Sequence, residues 1–267
     1  AMNSPTVVAQ MLGWFVSCFH KQFYQRAFDQ FPLLHPNGPA GSGKTMTTNL
    51  LARVFHNTSK PVNMAAGQGT LLPFKHAWSS SASIPLIIDE YKPSELRQDR
   101  VDFLLQSFRL AYNQASTATG GINKGAAESS FRDITEYSYS APTVFLGESQ
   151  ETQTAVLQRC VPVAISPEDS KARTAQFERV KAAANYLPQL GRLLLSMTMG
   201  VKDGDGWRVS PQTIQSREAA LQPIIAGLRS SMSPSVHDRQ IFNLAVVLEG
   251  LNFLDDAIRV VFGHEFS

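Results

Sequence analysis

The stretch that decides the fold is HPNGPAGSGKTMTTNLL, residues 35–51 of a 267-residue chain. It contains the pattern Gly-x-x-x-x-Gly-Lys-Thr, formed by Gly38, Gly43, Lys44 and Thr45. The apolar run before it has the length of a buried strand, and the residues after it place apolar side chains at helical spacing. A strand, a glycine-rich turn and a helix in this order predict a loop that binds the phosphates of a nucleotide.

Each residue type of this loop has a physical role in holding phosphate. Glycines let the backbone curl so that successive N–H groups point at phosphate oxygens. Lys44 supplies a cation for the β and γ phosphates, the Thr45 hydroxyl is a ligand for Mg²⁺, and the following helix directs its positive end at the same anion. The residues predicted to bind the nucleotide are Gly38, Pro39, Ala40, Gly41, Ser42, Gly43, Lys44 and Thr45. The alternative interpretation is a glycine-rich turn that contains a lysine by chance.

An acidic pair ends the next predicted buried strand, IPLIIDE at residues 84–90. The carboxylate of Asp89 is placed to hold Mg²⁺ together with Thr45. The second carboxylate, Glu90, is placed to orient and deprotonate an attacking water, which favours hydrolysis over phosphoryl transfer to a substrate. The guanine-reading motif Asn-Lys-x-Asp does not occur in the sequence, so the predicted substrate is ATP rather than GTP. A kinase, which would form a phosphorylated product, is the alternative.

Polar side chains in two further segments are also candidates for contact with the nucleotide. The predicted strand APTVFLGES, residues 141–149, ends with Glu148 and Ser149, where a polar group can sense the γ-phosphate. Arg159 lies between a short predicted helix and the last predicted strand. It is either an exposed residue at a helix end or an arginine finger that reaches the ATP of a neighbouring subunit.

Composition bounds the class of protein. Hydrophobic residues make up 43% of the chain, enough for a substantial core. Charged residues make up 17%, against a usual share of about 25%, which indicates that neighbouring subunits cover part of the surface. The net charge of +2 excludes a globally basic nucleic-acid binder, so any basic site must be local.

The cysteines and the longest apolar run indicate the cellular environment of the protein. Cys18 and Cys160 fit neither a disulfide framework nor a zinc site, which indicates a reducing compartment. The longest apolar run, residues 7–19, is too short to span a bilayer and lacks the flanks of a signal peptide. We expect a packed amphipathic helix there and no membrane association.

The order of the predicted elements gives the fold class. Strands alternate with helices up to about residue 166, and helical patterns dominate after it. Predicted helices cover residues 5–30, 45–57, 94–115 (capped by Ser94), 151–159, 168–183, 186–197, 215–228 and 238–262, with a turn at 200–206. The prediction is an α/β P-loop fold, with a parallel sheet between helices. Its predicted parts are a helical segment (1–30), an ATPase core (31–166) and a C-terminal helical lid (167–267).

These motifs together resemble an AAA+ ATPase, and more narrowly the helicase domains of phage and mobile-element replication proteins. Those domains are related to superfamily 3 and MCM-type helicases and are often fused to primases. The resemblance covers residues 13–165 and rests on FPLLHPNGPAGSGKT, IPLIIDEYKP, APTVFLGES and LQRCVPVAI, in that order. It implies a P-loop at Lys44 and Thr45, a Walker B pair at Asp89 and Glu90, sensor 1 at Glu148 or Ser149, and an arginine finger at Arg159. The family usually has asparagine or threonine at sensor 1, where this chain has Gly-Glu-Ser.

Members of that family carry a β-hairpin before the sensor 1 strand that grips DNA in a central pore. The segment TATGGINKGAAESSFRDI, residues 117–134, occupies that position, and Lys124 is the cation of its glycine-rich tip. A phosphate contact by Lys124, repeated around a ring, would hold one DNA strand despite the small net charge. The alternative is a surface loop.

The expected function is an ATP-driven DNA translocase and helicase in the replication of a phage or mobile element, in the cytoplasm of the bacterial host. The resemblance implies a homo-oligomeric ring, a hexamer, with ATP sites between subunits and single-stranded or forked DNA as partner. A primase or polymerase domain is a further expected partner. The alternative is a loader or initiator that remodels a partner protein or DNA without processive unwinding.

Overall fold

The computed structural model describes residues 3–55, 63–67, 69–122, 132–199, 201–203, 206–208 and 211–262. Its helices are α1 (Pro5–Ser17), α2 (Lys21–Phe28), α3 (Lys44–Ala52), α4 (Leu71–Ser79), α5 (Gln98–Asn113), α6 (Thr154–Leu157), α7 (Pro167–Ala172), α8 (Thr174–Ala182), α9 (Leu187–Met199), α10 (Pro211–Ser231) and α11 (Asp238–Phe262). Its strands are β1 (Leu33–Asn37), β2 (Asn63–Ala65), β3 (Leu86–Tyr91), β4 (Ser116–Ile122), β5 (Arg132–Ser138), β6 (Thr143–Gly147), β7 (Cys160–Ala164), β8 (Val201–Asp203) and β9 (Gly206–Arg208). Short 3₁₀ turns lie at Cys18–His20, Arg53–Phe55 and Ala184–Tyr186.

Five strands of the described chain form one parallel sheet in the order β2-β3-β6-β1-β7. Asn37 at the end of β1 lies opposite Gly147 of β6 and Ala164 of β7. Tyr91 at the end of β3 also lies opposite Gly147. The carboxyl ends of these strands therefore share one edge of the sheet, and the predicted α/β fold is confirmed.

Both faces of the sheet are buried under helices. Leu34 and Ile87 belong to the core cluster that includes residues of α1, α3 and α11, whereas Leu33, Ile88 and Phe145 belong to the cluster with α4 and α5. A strand covered on both faces needs an apolar residue at nearly every position, which explains the continuous apolar runs of the sequence. Among the described residues, no helix combines the length and apolarity needed to cross a bilayer.

The first and last helices pack directly on each other through glycine. A Cβ atom on Gly13 of α1 would lie 2.3 Å from the carbonyl oxygen of Val247, and one on Gly250 of α11 would lie 2.0 Å from the carbonyl oxygen of Gly13. Only glycine permits this approach of two backbones. The end of the predicted C-terminal lid thus contacts the predicted N-terminal segment. The division of the chain at residues 30 and 166 stays a prediction.

The predicted hairpin is present, because β4 and β5 pair in antiparallel fashion with Ser116 opposite Ser138. It packs against α4, where the rings of His76 and Tyr137 meet edge to face at 5.1 Å. Its tip, with Lys124, lies outside the described residues. The contact of Lys124 with DNA therefore stays a prediction.

The predicted start of α5 is wrong, since Ser94 does not cap the helix. The backbone N–H of Glu95 donates to the carbonyl oxygen of Lys92 at 2.9 Å and closes a turn around Pro93. Proline favours the second position of such a turn. The helix begins only after Arg97, which occupies the N-cap position.

Other differences from the predicted elements have local causes. The sequence pattern does not predict β2, whose three residues are too few to show alternation, or α4, whose first turn contains Pro73. The helix predicted at 168–183 is divided at Arg173, where the backbone leaves helical geometry with φ of −119°. At the turn predicted at 200–206 the short strands β8 and β9 pair in antiparallel fashion, and β9 continues to Arg208.

Candidate nucleotide-binding site

Three strand ends meet at the carboxyl edge of the sheet. β1 runs into the loop 38–43, β3 ends with residues 89–91, and β6 ends at Gly147. The chain connects β1 to strands on one side of it and returns from β6 to β7 on the other side. Such a reversal of strand order opens a crevice beyond the strand ends, here between β1 and β6. The predicted phosphate-binding loop, the acidic pair and Glu148 lie along this one crevice.

The loop 38–43 has the backbone of a phosphate cradle. Gly38, Gly41 and Gly43 have φ angles of +152°, +75° and +89°, a region that few other residues adopt. A Cβ atom on Gly38 would lie 2.2 Å from the carbonyl oxygen of Ile165, whereas one on Gly41 would meet nothing within 4 Å. The loop is therefore packed against the residue that follows β7 on one side and open on the other, where an anion can enter.

The neighbours of these glycines differ in exposure. Pro39 and Ala40 are exposed, and Ser42 is buried. The hydroxyl of Ser170 in α7 donates to the carbonyl oxygen of Ser42 at 2.6 Å and ties the loop to the following helices. Gly43 is the N-cap of α3, so the positive end of this helix faces the loop.

The ammonium group of Lys44 lies at the loop 38–43, where the sequence predicts that it binds phosphate. Its Nζ donates to the carbonyl oxygens of Gly38 at 2.6 Å and Pro39 at 2.9 Å. Burial lowers the pKa of Lys44, and the carboxylates of Glu148 and Asp89 act in the opposite direction. The ammonium is thus held at the centre of the cradle by carbonyl groups that phosphate oxygens can replace.

Thr45 and Asp89 meet from separate elements, α3 and β3. The Thr45 hydroxyl donates to Oδ2 of Asp89 at 3.0 Å, and Oδ1 of Asp89 accepts the backbone N–H of Glu90 at 2.8 Å. Within the described residues, no group of three or more His, Cys, Asp or Glu side chains could hold a metal alone. One hydroxyl and one carboxylate fit Mg²⁺, which takes few protein oxygens and completes its shell with phosphate and water.

Glu90 occupies a bulge at the end of β3. Ile88 lies opposite Phe145 and Tyr91 lies opposite Gly147, so β3 has one residue more than β6 over the same length. Glu90 has a φ of +57°, and its side chain is exposed. A non-glycine residue in this left-handed region costs about 1–3 kcal/mol. The bulge takes the Glu90 side chain out of the strand alternation and leaves it exposed at the carboxyl end of β3.

Glu148 and Ser149 follow β6 and are both exposed. Nζ of Lys92 lies 2.8 Å from Oε1 of Glu148 and 3.6 Å from the carboxylate of Glu95. The hydrogen bond from Lys92 lowers the pKa of Glu148, and the charge of Lys44 acts in the same direction. Glu148 therefore lies within the electrostatic reach of the lysine in the loop.

Three buried side chains behind the crevice have no counterpart among the sequence predictions. The hydroxyl of Tyr91 donates to Oε2 of Glu151 at 2.5 Å, and the backbone N–H of Glu151 donates to Nε2 of His35 at 3.1 Å. Nδ1 of His35 donates to the carbonyl oxygen of Phe145 at 2.9 Å. The signal available in the sequence was His35 within a strand that is buried along its length, because a buried polar side chain needs hydrogen-bond partners.

Arg159 lies at the opposite edge of the sheet. Its carbonyl oxygen accepts the backbone N–H of Leu33 at 2.9 Å, at the amino end of β1. The five residues of β1, roughly 13 Å of strand, separate this point from the crevice. Nη1 of Arg159 donates to the carbonyl oxygen of Ala155 at 2.6 Å, and its guanidinium lies 5.6 Å from the ring centre of Tyr112. Arg159 is therefore not part of the crevice of its own chain.

Two further arginines lie near Arg159. Arg239 at the start of α11 approaches Oε1 of Gln158 at 3.5 Å. Burial lowers the pKa of Arg159, and the charges of Arg239 and Arg109 lower it further. None of these three arginines has a carboxylate partner in the part of the chain that the structure describes. The three arginines therefore form a positively charged group at this edge of the sheet.

A cavity of about 210 Å³ opens beside the loop, on the side of α7 and α8. It is lined by Gly41, Gly43, Met46, Thr47, Ser170, Lys171, Thr174, Phe177 and Glu178. The cavity joins the cradle at its two glycines. Its position allows one ligand to contact both the loop and the helices that follow β7.

Comparison with known proteins bears on the fold. No protein-family model matches the chain, and no curated protein sequence matches it. A solved structure of the active helicase SCCmec type IV Cch aligns with 95% of this chain at 14% identity and a TM-score of 0.58. The chain spans 44% of the length of that helicase.

Two structures of JCV helicase, one of them bound to a thiazolopyridine compound, also align with the chain. They cover 98% and 97% of it and 67% and 66% of their own chains, at 11% identity and TM-scores of 0.38 and 0.36. The match with the SCCmec helicase shows a shared fold, an α/β sheet flanked by helices that is consistent with a P-loop NTPase.

Proposed function

We propose that the chain is an ATP hydrolase whose turnover drives movement along DNA. The observation that carries the proposal is the meeting of Lys44, Thr45, Asp89 and Glu90 in one crevice. A cation, a helix N-terminus, a hydroxyl–carboxylate pair and an exposed second carboxylate are what phosphoryl transfer to water requires.

The phosphates of ATP would occupy the loop 38–43, where backbone N–H groups and the start of α3 meet their charge. Lys44 exchanges its bonds to the carbonyl groups of Gly38 and Pro39 for bonds to phosphate oxygens. Thr45 and Asp89 would hold Mg²⁺, which when bound supplies positive charge to the phosphates. Lys44 does not have to move far for this exchange, because its Nζ already lies at the loop.

Glu90 accepts the proton of the attacking water. Its carboxylate is exposed in the bulge, whereas the oxygens of Asp89 are occupied by Thr45 and the backbone. This difference in partners assigns the two adjacent carboxylates different roles. Glu148 or Ser149, at the end of the neighbouring strand, would contact the γ-phosphate.

The base of ATP would bind in the cavity between the loop and α7–α8. Met46 and Phe177 offer apolar surface, and Ser170 and Thr174 offer hydroxyl groups. Pockets for small molecules combine such surface with a few polar groups. Occupation of the cavity would connect the nucleotide to the helices predicted as a lid.

The position of Arg159 supports a site shared between two chains. Arg159 is separated from its own crevice by the length of β1, and it lies with Arg109 and Arg239 on a surface without a carboxylate partner among the described residues. The γ-phosphate of a neighbouring chain is an anion that fits this surface. We propose a homo-oligomeric ring, a hexamer, in which Arg159 stabilises charge in the adjacent site.

DNA is the proposed track. The strands β4 and β5 flank the glycine-rich sequence that contains Lys124, and single-stranded or forked DNA would contact Lys124 of each chain in turn. The neighbour of similar fold is itself an active helicase, which supports this proposal. Replication of a phage or mobile element, with a primase or polymerase domain as partner, is the proposed setting.

The first test measures release of phosphate from Mg-ATP with and without single-stranded DNA, together with strand separation. The unaltered chain is expected to hydrolyse ATP faster with DNA, and Lys44→Ala is expected to bind and hydrolyse none. Lys124→Ala is expected to retain basal hydrolysis and lose stimulation by DNA. Unchanged stimulation and strand separation in Lys124→Ala would refute the helicase proposal in favour of a loader, and a phosphorylated product would indicate a kinase.

The shared site is tested by mixing two inactive variants. Arg159→Ala keeps its own crevice, and Lys44→Ala keeps its arginine, so mixed rings contain some complete sites. Hydrolysis is expected to return on mixing, with a maximum at intermediate ratios, and native mass measurement gives the ring size. Absence of recovery at every ratio argues against a site built from two chains.

A further inference from the structure

A buried hydrogen-bond network of Tyr91, Glu151 and His35, here named the edge network, lies directly behind the crevice. The Tyr91 hydroxyl donates to the Glu151 carboxylate at 2.5 Å, and the Glu151 backbone N–H donates to His35 at 3.1 Å. Their exposed fractions are 2%, 6% and 0%. The Glu151 carboxylate therefore holds Tyr91 and the Glu151 backbone is held by His35, all three away from solvent.

His35 serves the edge network in its neutral form. Its Nδ1 donates to the carbonyl oxygen of Phe145 at 2.9 Å, and its ring stacks on the Phe145 ring with centres 4.1 Å apart. Because Nδ1 carries the hydrogen, Nε2 is left as an acceptor for Glu151. Burial lowers the pKa of His35, which keeps the ring neutral. The histidine therefore fastens β1 to the loop that follows β6.

The edge network touches both parts of the crevice that act on the γ-phosphate. Tyr91 directly follows Glu90 in the bulge, and Glu151 closes the loop 148–150. The end of β3 and the start of the loop after β6 pack closely on each other. A Cβ atom on Gly147 would lie 3.2 Å from the carbonyl oxygen of Tyr91. Movement of one part is thus transmitted to the other.

The second oxygen of Glu151 acts on the helix that precedes Arg159. Its Oε1 accepts the backbone N–H groups of Thr152 at 2.7 Å and Gln153 at 2.8 Å, and these residues lead directly into α6. One carboxylate therefore connects the end of β3 in the chain's own crevice with the segment that presents the arginine at the other edge.

We infer that Tyr91, Glu151 and His35 are positioning residues for hydrolysis, which hold Glu90 and the loop 148–150 against the reacting phosphate. The inference rests on the proposed ATP hydrolysis. Glu90 has a backbone conformation, φ of +57°, that persists only where its surroundings impose it. The bond from Tyr91 to Glu151 is the constraint immediately after it. Its loss lets the bulge relax, while the phosphate-binding loop keeps its geometry.

The test uses the full chain and the variant Tyr91→Phe, which removes the hydroxyl and keeps a ring that packs on Phe108 and Phe145. Tyr24→Phe is the matched control, because the Tyr24 hydroxyl donates to the buried carboxylate of Glu249 and its ring stacks on Phe31, which precedes the amino end of β1. We expect Tyr91→Phe to lower kcat about tenfold, with KM and the affinity for a non-hydrolysable ATP analogue unchanged. Tyr24→Phe is expected to lose similar thermal stability and keep its kcat.

Three outcomes overturn the inference. Equal kcat in Tyr91→Phe and the unaltered chain overturns it alone and leaves the proposed function intact. A loss of kcat in both variants, in proportion to their loss of folded protein, assigns the hydroxyl a structural role. Absence of hydrolysis by the unaltered chain removes the proposed function and the inference together. Glu151→Gln, which keeps the size of the side chain, is the second variant and is expected to lower kcat with the same unchanged KM.

Discussion

The edge network and a second buried network between helices contain the same residue types, tyrosine, histidine and glutamate, but have different roles. In the second, here named the layer network, the Tyr24 hydroxyl and Nδ1 of His20 both approach Oε2 of Glu249. Nη1 of Arg217 lies 3.4 Å from Oε1 of the same carboxylate. These residues join α2 and the turn before it to α10 and α11, so the layer network links the two ends of the chain.

The two networks differ in what their carboxylates hold. Glu249 faces side chains of other helices, and Arg217 matches its charge, whereas one oxygen of Glu151 accepts the backbone N–H groups of Thr152 and Gln153. Burial opposes ionisation of Glu249, but hydrogen bonds from its histidine and tyrosine partners and the charge of Arg217 keep its pKa below the usual value. The layer network therefore stabilises the fold, and the edge network sets the shape of a loop.

The largest expected effect is the loss of kcat in Glu90→Gln, a substitution beside the edge network and away from the layer network. We expect kcat to fall about 10³-fold, with ATP affinity and thermal stability unchanged, because the carboxylate is exposed and the amide has the same size. Phosphate release measures kcat, titration with a non-hydrolysable ATP analogue measures affinity, and thermal unfolding measures stability. Asp256→Asn, which replaces an exposed acid on α11, is the control and is expected to change none of the three. Retained turnover in Glu90→Gln would remove the assigned role of this residue.

The converse effect is expected from Glu249→Ala. This substitution leaves Arg217 and the buried Tyr24 and His20 without their shared acceptor, so the free energy of unfolding should fall by about 3 kcal/mol. The kcat of the remaining folded protein should not change. Denaturant unfolding measures the first quantity.

A surface pair provides the control for Glu249→Ala. Asp255→Ala breaks a pair with Arg259, whose N–O distance is 2.7 Å, and should cost at most about 0.5 kcal/mol. A loss of turnover in Glu249→Ala without a loss of stability would contradict the division between the two networks.

The smallest expected effect is a decrease of unfolding free energy as the pH falls. Burial lowers the pKa of His20 and of His35 below the usual 6.5, so below this pH the unfolded chain binds protons that the folded chain does not. The stability present above pH 6.5 is therefore lost as the pH falls toward the folded values. The lowered pKa of Glu249 extends the loss below its usual 4.5.

Each of these groups contributes a slope of at most about 1.4 kcal/mol per pH unit. Chemical unfolding between about pH 7.5 and 5.5 measures the slope for the unaltered chain and for His20→Gln. We expect the variant to show a smaller slope, because one of the two histidines no longer contributes. Identical slopes would show that His20 does not contribute.

The features that could be predicted from the sequence are those formed by residues that are neighbours along the chain. The loop 38–43 is predictable because its glycines have local backbone conformations that other residues avoid. The acidic pair ends an apolar run, and the hairpin is marked by partly alternating residues. The start of α5 could not be predicted from Ser94, because the proline beside it favours a turn.

The edge network could not be predicted in the same way. Tyr91 and Glu151 are 60 positions apart, and His35 and Glu151 are 116 positions apart. No local pattern connects residues at such separations. The bulge at Glu90 was equally inaccessible, because it depends on the register between β3 and β6.

By itself, the sequence determined a glycine-rich loop between a strand and a helix, an acidic strand end and a sheet buried on both faces, since each depends on neighbouring residues and their backbone preferences. Only the tertiary structure decided that Arg159 lies at the opposite edge from the crevice, and that a tyrosine, a glutamate and a histidine meet behind it. The physical reason is that the order and register of the strands arise from packing of the whole chain, which brings together residues with no relation along the sequence.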